Sequence, residues 1–272
     1  MIDFLLGLEA WQQALIATIF TWCTTGLGAA VVFLTRGVNL KFLHSMLGFA
    51  GGVMIAASFW SLLQPAIEAS SGHFIGEWFP AAIGFLLGGL FIYGFDKVIP
   101  HRHPHLSDSK TEGLMVEGKR TSTLLFYSMT LHNIPEGLAI GIAFGGAAAG
   151  GDPGGIAAGA FTLALGIGIQ NIPEGIAVSM PLRGDGMSKF KSFIYGWMSA
   201  LGEPIAAVIG VIAISFMTPI LPYALALSAG AMIFVVVEEV IPSTHRNGHS
   251  DIAVLSLMAG FTMMMILDVA LG

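Results

Sequence analysis

The chain has 272 residues, 55% of them hydrophobic and only 10% charged, against roughly 25% charged in soluble domains. That composition excludes an ordinary soluble domain, and a net charge of −6 with no basic patch gives no reason to expect nucleic acid. The single cysteine, Cys23, sits in an apolar stretch, which excludes a disulfide framework and a thiolate metal cluster.

Apolar segments long enough to cross about 30 Å of hydrocarbon recur along the chain. Taken in order they predict helices over Ala10–Thr35, Phe42–Ala66, Trp78–Ile99, Ser122–Ala148, Gly155–Leu182, Phe190–Met217, Pro219–Val240 and Ile252–Leu271. The sixth and seventh are separated only by a Thr-Pro break between Met217 and Pro222. The first stretch is too long for a signal peptide and has no basic segment before it, so none is expected.

Loop charges bear on this count. Arg36, Lys41, Lys97, Arg102, Lys110, Lys119, Arg120, Arg183, Lys189, Lys191 and Arg246 all fall in or beside the loops after segments one, three, five and seven. By the positive-inside rule that side is cytoplasmic and both termini face out. The chain therefore reads as an all-α integral membrane protein: an eight-transmembrane-helix bundle forming one domain over residues 1–272, with its longest cytoplasmic loop at about 100–121. Small-residue pairs Gly48–Gly52, Gly84–Gly88, Gly141–Gly145 and Gly155–Gly159 are expected at close helix contacts.

One internal repeat stands out. The fourth segment carries His132-Asn133-Ile134-Pro135-Glu136-Gly137 and the fifth carries Gln170-Asn171-Ile172-Pro173-Glu174-Gly175. Consecutive spans run in opposite directions, so the copies meet antiparallel, as in an inverted repeat. His132 and Glu136 are four apart and share a helix face, as do Gln170 and Glu174. Each proline removes a backbone donor and frees the carbonyl of Leu131 or Ile169, so helices four and five are expected to break there. The sixth segment adds Glu203-Pro204, a third carboxylate beside a helix-breaking proline, with Ser199 a turn earlier. Each carboxylate would cost several kcal/mol if charged and unpaired in mid-membrane. The only Lys or Arg within these segments is Lys191, at the edge of the sixth and about three turns from Glu203, so protons or a bound cation must neutralise them.

Polar residues between membrane helices often serve only as hydrogen-bonding glue. That account suits a lone Asn or Ser better than one His, three Glu, one Gln and two Asn on three consecutive segments. Imidazole, carboxylate and amide donors without thiolate suit Zn²⁺, Fe²⁺, Mn²⁺ or Cd²⁺. There are more donors than one tetrahedral ion needs, so a two-ion site is open. Met54 in the second segment is the one soft donor, and packing is its commoner role.

On these motifs, and over nearly its whole length, the chain resembles the ZIP family of zinc- and iron-regulated transporters, most of all its bacterial branch. The resemblance implies that His132, Glu136, Gln170 and Glu174 are ligands of a first metal site. It implies that Asn133 belongs to an adjoining second site, that Glu203 completes the cluster, and that Met54 brings a thioether near the first site. Asn171 stands where a close relative would show Asp, which weakens the second site. The ions are transported substrate and no cofactor is implied. The implied mechanism is alternating access, with spans one, four, five and six moving against the rest.

Other residues are candidates for an entry or exit path. Ser61 and Glu68 lie toward the outer end of the second segment; Asp96 and Glu239 lie at the inner ends of the third and seventh. A carboxylate in the last turn of a helix opposes the macrodipole, and Glu239 has no partner visible in the sequence. His101, His103 and His105, with His245 and His249, fall in cytoplasmic loops and can receive a departing metal or simply be solvated. His44 and His73 are isolated and read as structural. Glycine-rich faces permit a homodimer, and the compact chain suggests a bacterial inner membrane. The alternatives are a membrane-embedded metal-dependent hydrolase, which would need a His-Glu-x-x-His motif or an open water position, and a proton-coupled carrier of organic solutes. The crowded ring of carboxylates and amides around a single motif histidine speaks against the first, and the chelating His132/Glu136 spacing speaks against the second.

Overall fold

The computed structural model describes residues 7–35, 39–98, 121–150, 155–244 and 250–271. These residues are all-helical, with no strand among them. Eight helical rods follow one another: α1 (Ala10–Leu34), α2 (Leu40–Glu68), α3 (Trp78–Val98), α4 (Thr121–Gly150), α5 (Gly155–Gly184), α6 (Lys189–Phe216), α7 (Thr218–Thr244) and α8 (Ser250–Leu271). Six of them, α1, α2, α5, α6, α7 and α8, carry stretches long and apolar enough to cross a membrane, and α3 holds a shorter apolar helix over Trp78–Gly94. Two of the rods, α2 and α6, begin at polar caps. Asn39 Oδ1 accepts from the Phe42 amide at 3.1 Å, and Ser188 Oγ accepts from Lys191 at 3.3 Å. Between α6 and α7 the chain turns at Met217, whose non-helical backbone (φ −140°, ψ 62°) ends the helix at the predicted Thr-Pro break.

Four parallel pairs make up the bundle: α1 with α5, α4 with α6, α2 with α8, and α3 with α7. Glycine faces explain the choice of partners. A methyl group on Gly28 would overlap the carbonyl oxygen of Ile172, and one on Gly175 would overlap that of Thr25, so α1 and α5 interlock from both sides. Gly137 and Gly141 do the same for α4 against Glu203 and Ala207 of α6. Gly48 and Gly52 lie on the backbone of α8, and Gly84 and Gly88 on that of α7, as their spacing predicts. Gly159 departs from that expectation, because nothing lies within 4 Å of where its side chain would be. Adding a methyl at Gly230, which meets the Phe85 carbonyl, should therefore cost about 1–3 kcal/mol. At Gly159 the same change should gain about 0.5–1 kcal/mol from reduced backbone entropy. Thermal unfolding of Gly230→Ala and Gly159→Ala in detergent checks the opposite signs.

The prolines act differently from the sequence expectation. Pro135 and Pro173 lie inside continuous helices, so α4 and α5 are not broken there. Instead, α2 and α7 widen into π-helical turns over Ser58–Leu63 and Val236–Val240. Gln64 and Ile241, each directly before a proline (Pro65 and Pro242), donate to the carbonyl five residues back, Phe59 and Val236 respectively. A proline ring collides with the carbonyl four residues earlier, and opening the turn by one residue relieves that collision. In α6 a 3₁₀ turn at Ser199–Leu201 precedes Glu203-Pro204.

Candidate metal centre

Both copies of the repeat face the interior. His132, Asn133 and Glu136 of α4, Gln170, Asn171 and Glu174 of α5, and Glu203 of α6 are all buried. Packing of α4 against α5 brings the copies together: Gln170 Nε2 donates to Glu136 Oε1 at 2.7 Å. The Glu136 and Glu174 carboxyl groups are adjacent, and Glu203 is within electrostatic reach of both. The basic residues of α5 and α6 lie at the helix ends, at Arg183, Lys189 and Lys191, so no cationic side chain enters the cluster.

Hydrogen bonding divides the site into two halves. In the first, Glu136 Oε2, Glu174 Oε2 and Gln170 Oε1 are buried and accept no hydrogen bond. Buried oxygens without donors are costly unless water or a cation meets them. His132, one turn from Glu136, has Nε2 4.0 Å from Glu239 Oε1. In the second half, Asn171 Nδ2 donates to Glu203 Oε1 at 2.8 Å and to the Thr21 carbonyl at 3.1 Å. The Thr21 hydroxyl lies against Glu203 Oε2 and also 3.1 Å from the Thr18 carbonyl. Its single proton favours the carboxylate, the stronger acceptor. Asn133 Nδ2 donates to the Met129 and Ser199 carbonyls at 2.8 and 3.2 Å, which leaves its Oδ1 without a donor. Among the described residues no three side chains of the His, Cys, Asp or Glu type form a ready-made shell.

The other predicted residues scatter. Met54 is buried in the apolar core, in one cluster with Ile140, Leu163 and Ile167. Ser61, in the π-helical turn of α2, donates to Asp268 Oδ1 of α8 at 2.5 Å. Glu68 is exposed and accepts from Gln64 at 3.0 Å. Asp96 lies near the end of α3, its side chain outside the described residues. Glu239 is not remote from the centre: the π-helical turn of α7 carries it, buried, beside His132. His101, His103, His105, His245 and His249 lie outside the described residues. Sequence reasoning missed Thr21 and Asp268. The run Thr18, Thr21, Thr24, Thr25 marks a polar face on α1, and it was the available signal for Thr21. Beyond Asp251 in its first turn, Asp268 is the one charged residue of apolar α8, which is the default mark of a functional carboxylate in a membrane segment.

Residues 100–268, which contain both copies of the repeat and Glu203, match the family described as ZIP Zinc transporter. The chain belongs to the ZIP family. It is 40% identical to the zinc transporter ZIP11 of Xenopus tropicalis, with all of both chains covered. It is 37% identical to the zinc transporter GufA of Myxococcus xanthus over 95% of this chain and 98% of that one. The zinc transporter ZIPB of Bordetella bronchiseptica is 39% identical over 92% of this ZIP chain and 79% of its own. These ZIP relatives come from vertebrates as well as bacteria.

Proposed function

We propose that the chain carries zinc across a membrane into the cytoplasm, with cadmium, iron and manganese as competing ions, through the centre on α4, α5 and α6. One observation carries this reading: Glu136 Oε2, Glu174 Oε2 and Gln170 Oε1 are buried in one cluster with neither a hydrogen-bond donor nor a cationic side chain to meet them. A divalent cation supplies the missing positive charge, and imidazole with oxygen donors suits the zinc-like ions. The metal is cargo. The zinc-transporter names of the relatives support the same reading.

In this reading all eight rods span the bilayer as one domain, α4 and α5 are related as an inverted repeat, and the basic loops face the cytoplasm with both termini outside. Lys189 Nζ donates to the Phe33 carbonyl at 2.9 Å, which agrees with the loops after α1 and α5 sharing a side. A bacterial inner membrane and a homodimer are part of the proposal. Access alternates by movement of α1, α4, α5 and α6 against α2, α3, α7 and α8. The glycine contacts support that division. Within each group, backbone meets backbone, as at Gly28–Ile172 and Gly52–Leu257. Between groups, glycines meet flexible side chains: Gly166 meets the thioether of Met264, and Gly146 meets the methyls of Leu221. Ser61 and Asp268, Glu68, Asp96, Glu239 and the loop histidines serve the entry and exit paths.

Uptake into proteoliposomes holding a zinc indicator tests the proposal. The native chain is expected to fill them, and Glu136→Ala and Glu174→Ala to slow uptake about 10–100-fold or more. A native protein that binds these ions yet moves none of them sinks the reading.

A further inference from the structure

We infer that the chain carries one ion per cycle, because Thr21 and Asn171 together hold the carboxylate that a second ion would require. The inference rests on the transporter reading above and concerns the same centre.

The argument is a count of acceptor atoms. Glu203 is fully buried, and both of its carboxylate oxygens face a side-chain donor: Asn171 Nδ2 at Oε1 and the Thr21 hydroxyl at Oε2. The orientation of the Asn171 amide is not arbitrary. Its two neighbours are the Thr21 carbonyl and Glu203 Oε1, both acceptors, so the nitrogen has to face them and its two protons are used. An ion approaching Glu203 would displace one of these donors and come up against an N–H group. What remains there is one amide oxygen, Asn171 Oδ1, with Asn133 Oδ1 on the neighbouring helix. Neutral amides are weak ligands for a divalent ion without a carboxylate. The other half of the site is different: two carboxylates and the Gln170 amide each present an oxygen with no donor.

Thr21 is thus a positioning residue. It belongs to α1, which is locked to α5 by the reciprocal contacts of Gly28 and Gly175, so the Thr21–Asn171–Glu203 clasp is fixed by backbone packing. A donor pair stands where a second positive charge would otherwise be needed.

The test counts cadmium bound per full-length chain in detergent, with cadmium chloride alone as probe, by equilibrium dialysis and elemental analysis. Cytoplasmic histidines add a background, so the informative number is a difference. The native count minus that of a Glu136→Ala/Glu174→Ala/Glu203→Ala triple variant, which lacks the carboxylates of both halves, should be one. A difference of two overturns the inference and leaves the transporter reading intact; a difference of zero removes both. As a second measurement, Asn171→Asp exchanges two donor hydrogens for a carboxylate and is expected to raise the count by one. An unchanged count in folded Asn171→Asp protein would show that the amide does not exclude the second ion. If that variant does not fold, the native difference still decides.

Discussion

Oxidising a cysteine pair at Gly166→Cys and Met264→Cys, in a chain that also carries Cys23→Ser, is expected to reduce metal uptake to the rate of empty liposomes. A reductant should restore it. Gly166 lies on α5 one turn before Gln170, and Met264 is fully buried on α8. A side chain at Gly166 would start against the Met264 thioether, with Met264 Cγ 3.8 Å away. A cysteine at 264 carries its sulfur at the Cγ position, so the two introduced side chains would be direct neighbours across the two helices. The bond would join the helix group that holds the centre to the group that does not, and so would fix one access state. The matching control joins Thr35→Cys to Met180→Cys. These side chains touch at 3.2 Å between α1 and α5, inside one group, so oxidation there should leave uptake unchanged. If the 166–264 bond forms completely and uptake continues, the two groups do not need to move. The centre would then work as a channel.

The sequence made half of the centre legible and hid the rest for a physical reason. Glu136 and Glu174 announce themselves, because a carboxylate in an apolar segment without Lys or Arg needs a partner from outside the chain. The two repeats were sure to be neighbours, since α4 and α5 are consecutive antiparallel rods. Thr21–Glu203 and His132–Glu239 join helices far apart in sequence, α1 with α6 and α4 with α7. Which distant rods touch depends on how glycine faces nest, and a glycine pair in the sequence does not name its partner. Gly84 and Gly88 found α7, whereas Gly159 found nothing. The prolines teach a related lesson. Pro135 and Pro173 are buried, and the helix continues through them. At Pro65 and Pro242 the chain widens into a π-helical turn instead, and those turns carry Ser61 and Glu239. Apolar length had located the helix ends closely, as with Ala10–Leu34 against the expected Ala10–Thr35.

Replacing Gly28 by alanine is expected to damage the centre from two turns away. The added methyl would overlap the Ile172 carbonyl oxygen and lie 2.8 and 2.9 Å from the Ile172 carbonyl carbon and Cα. None of these atoms can rotate aside, so α1 must retreat from α5. Ile172 adjoins Asn171, and Thr21 lies on the same helix as Gly28, so retreat stretches the bonds from Asn171 to Thr21 and from Thr21 to Glu203. Overpacking of this kind costs about 1–3 kcal/mol, which for a chain of this size is a fall of about 2–4 °C in Tm per kcal/mol. Uptake should fall with it, because the clasp that sets Glu203 is loosened. Gly168→Ala is the informative comparison. It also meets α1, but through the edge of the Phe20 ring, a side chain that is 43% exposed and free to swing toward lipid. The same added methyl should therefore lower Tm less at position 168 than at 28 and leave uptake near native. Equal losses at the two positions would mean that backbone contact between α1 and α5 is not what holds Thr21 in place. The geometry of Glu203 would then have to come from α4, where Gly137 packs on its backbone.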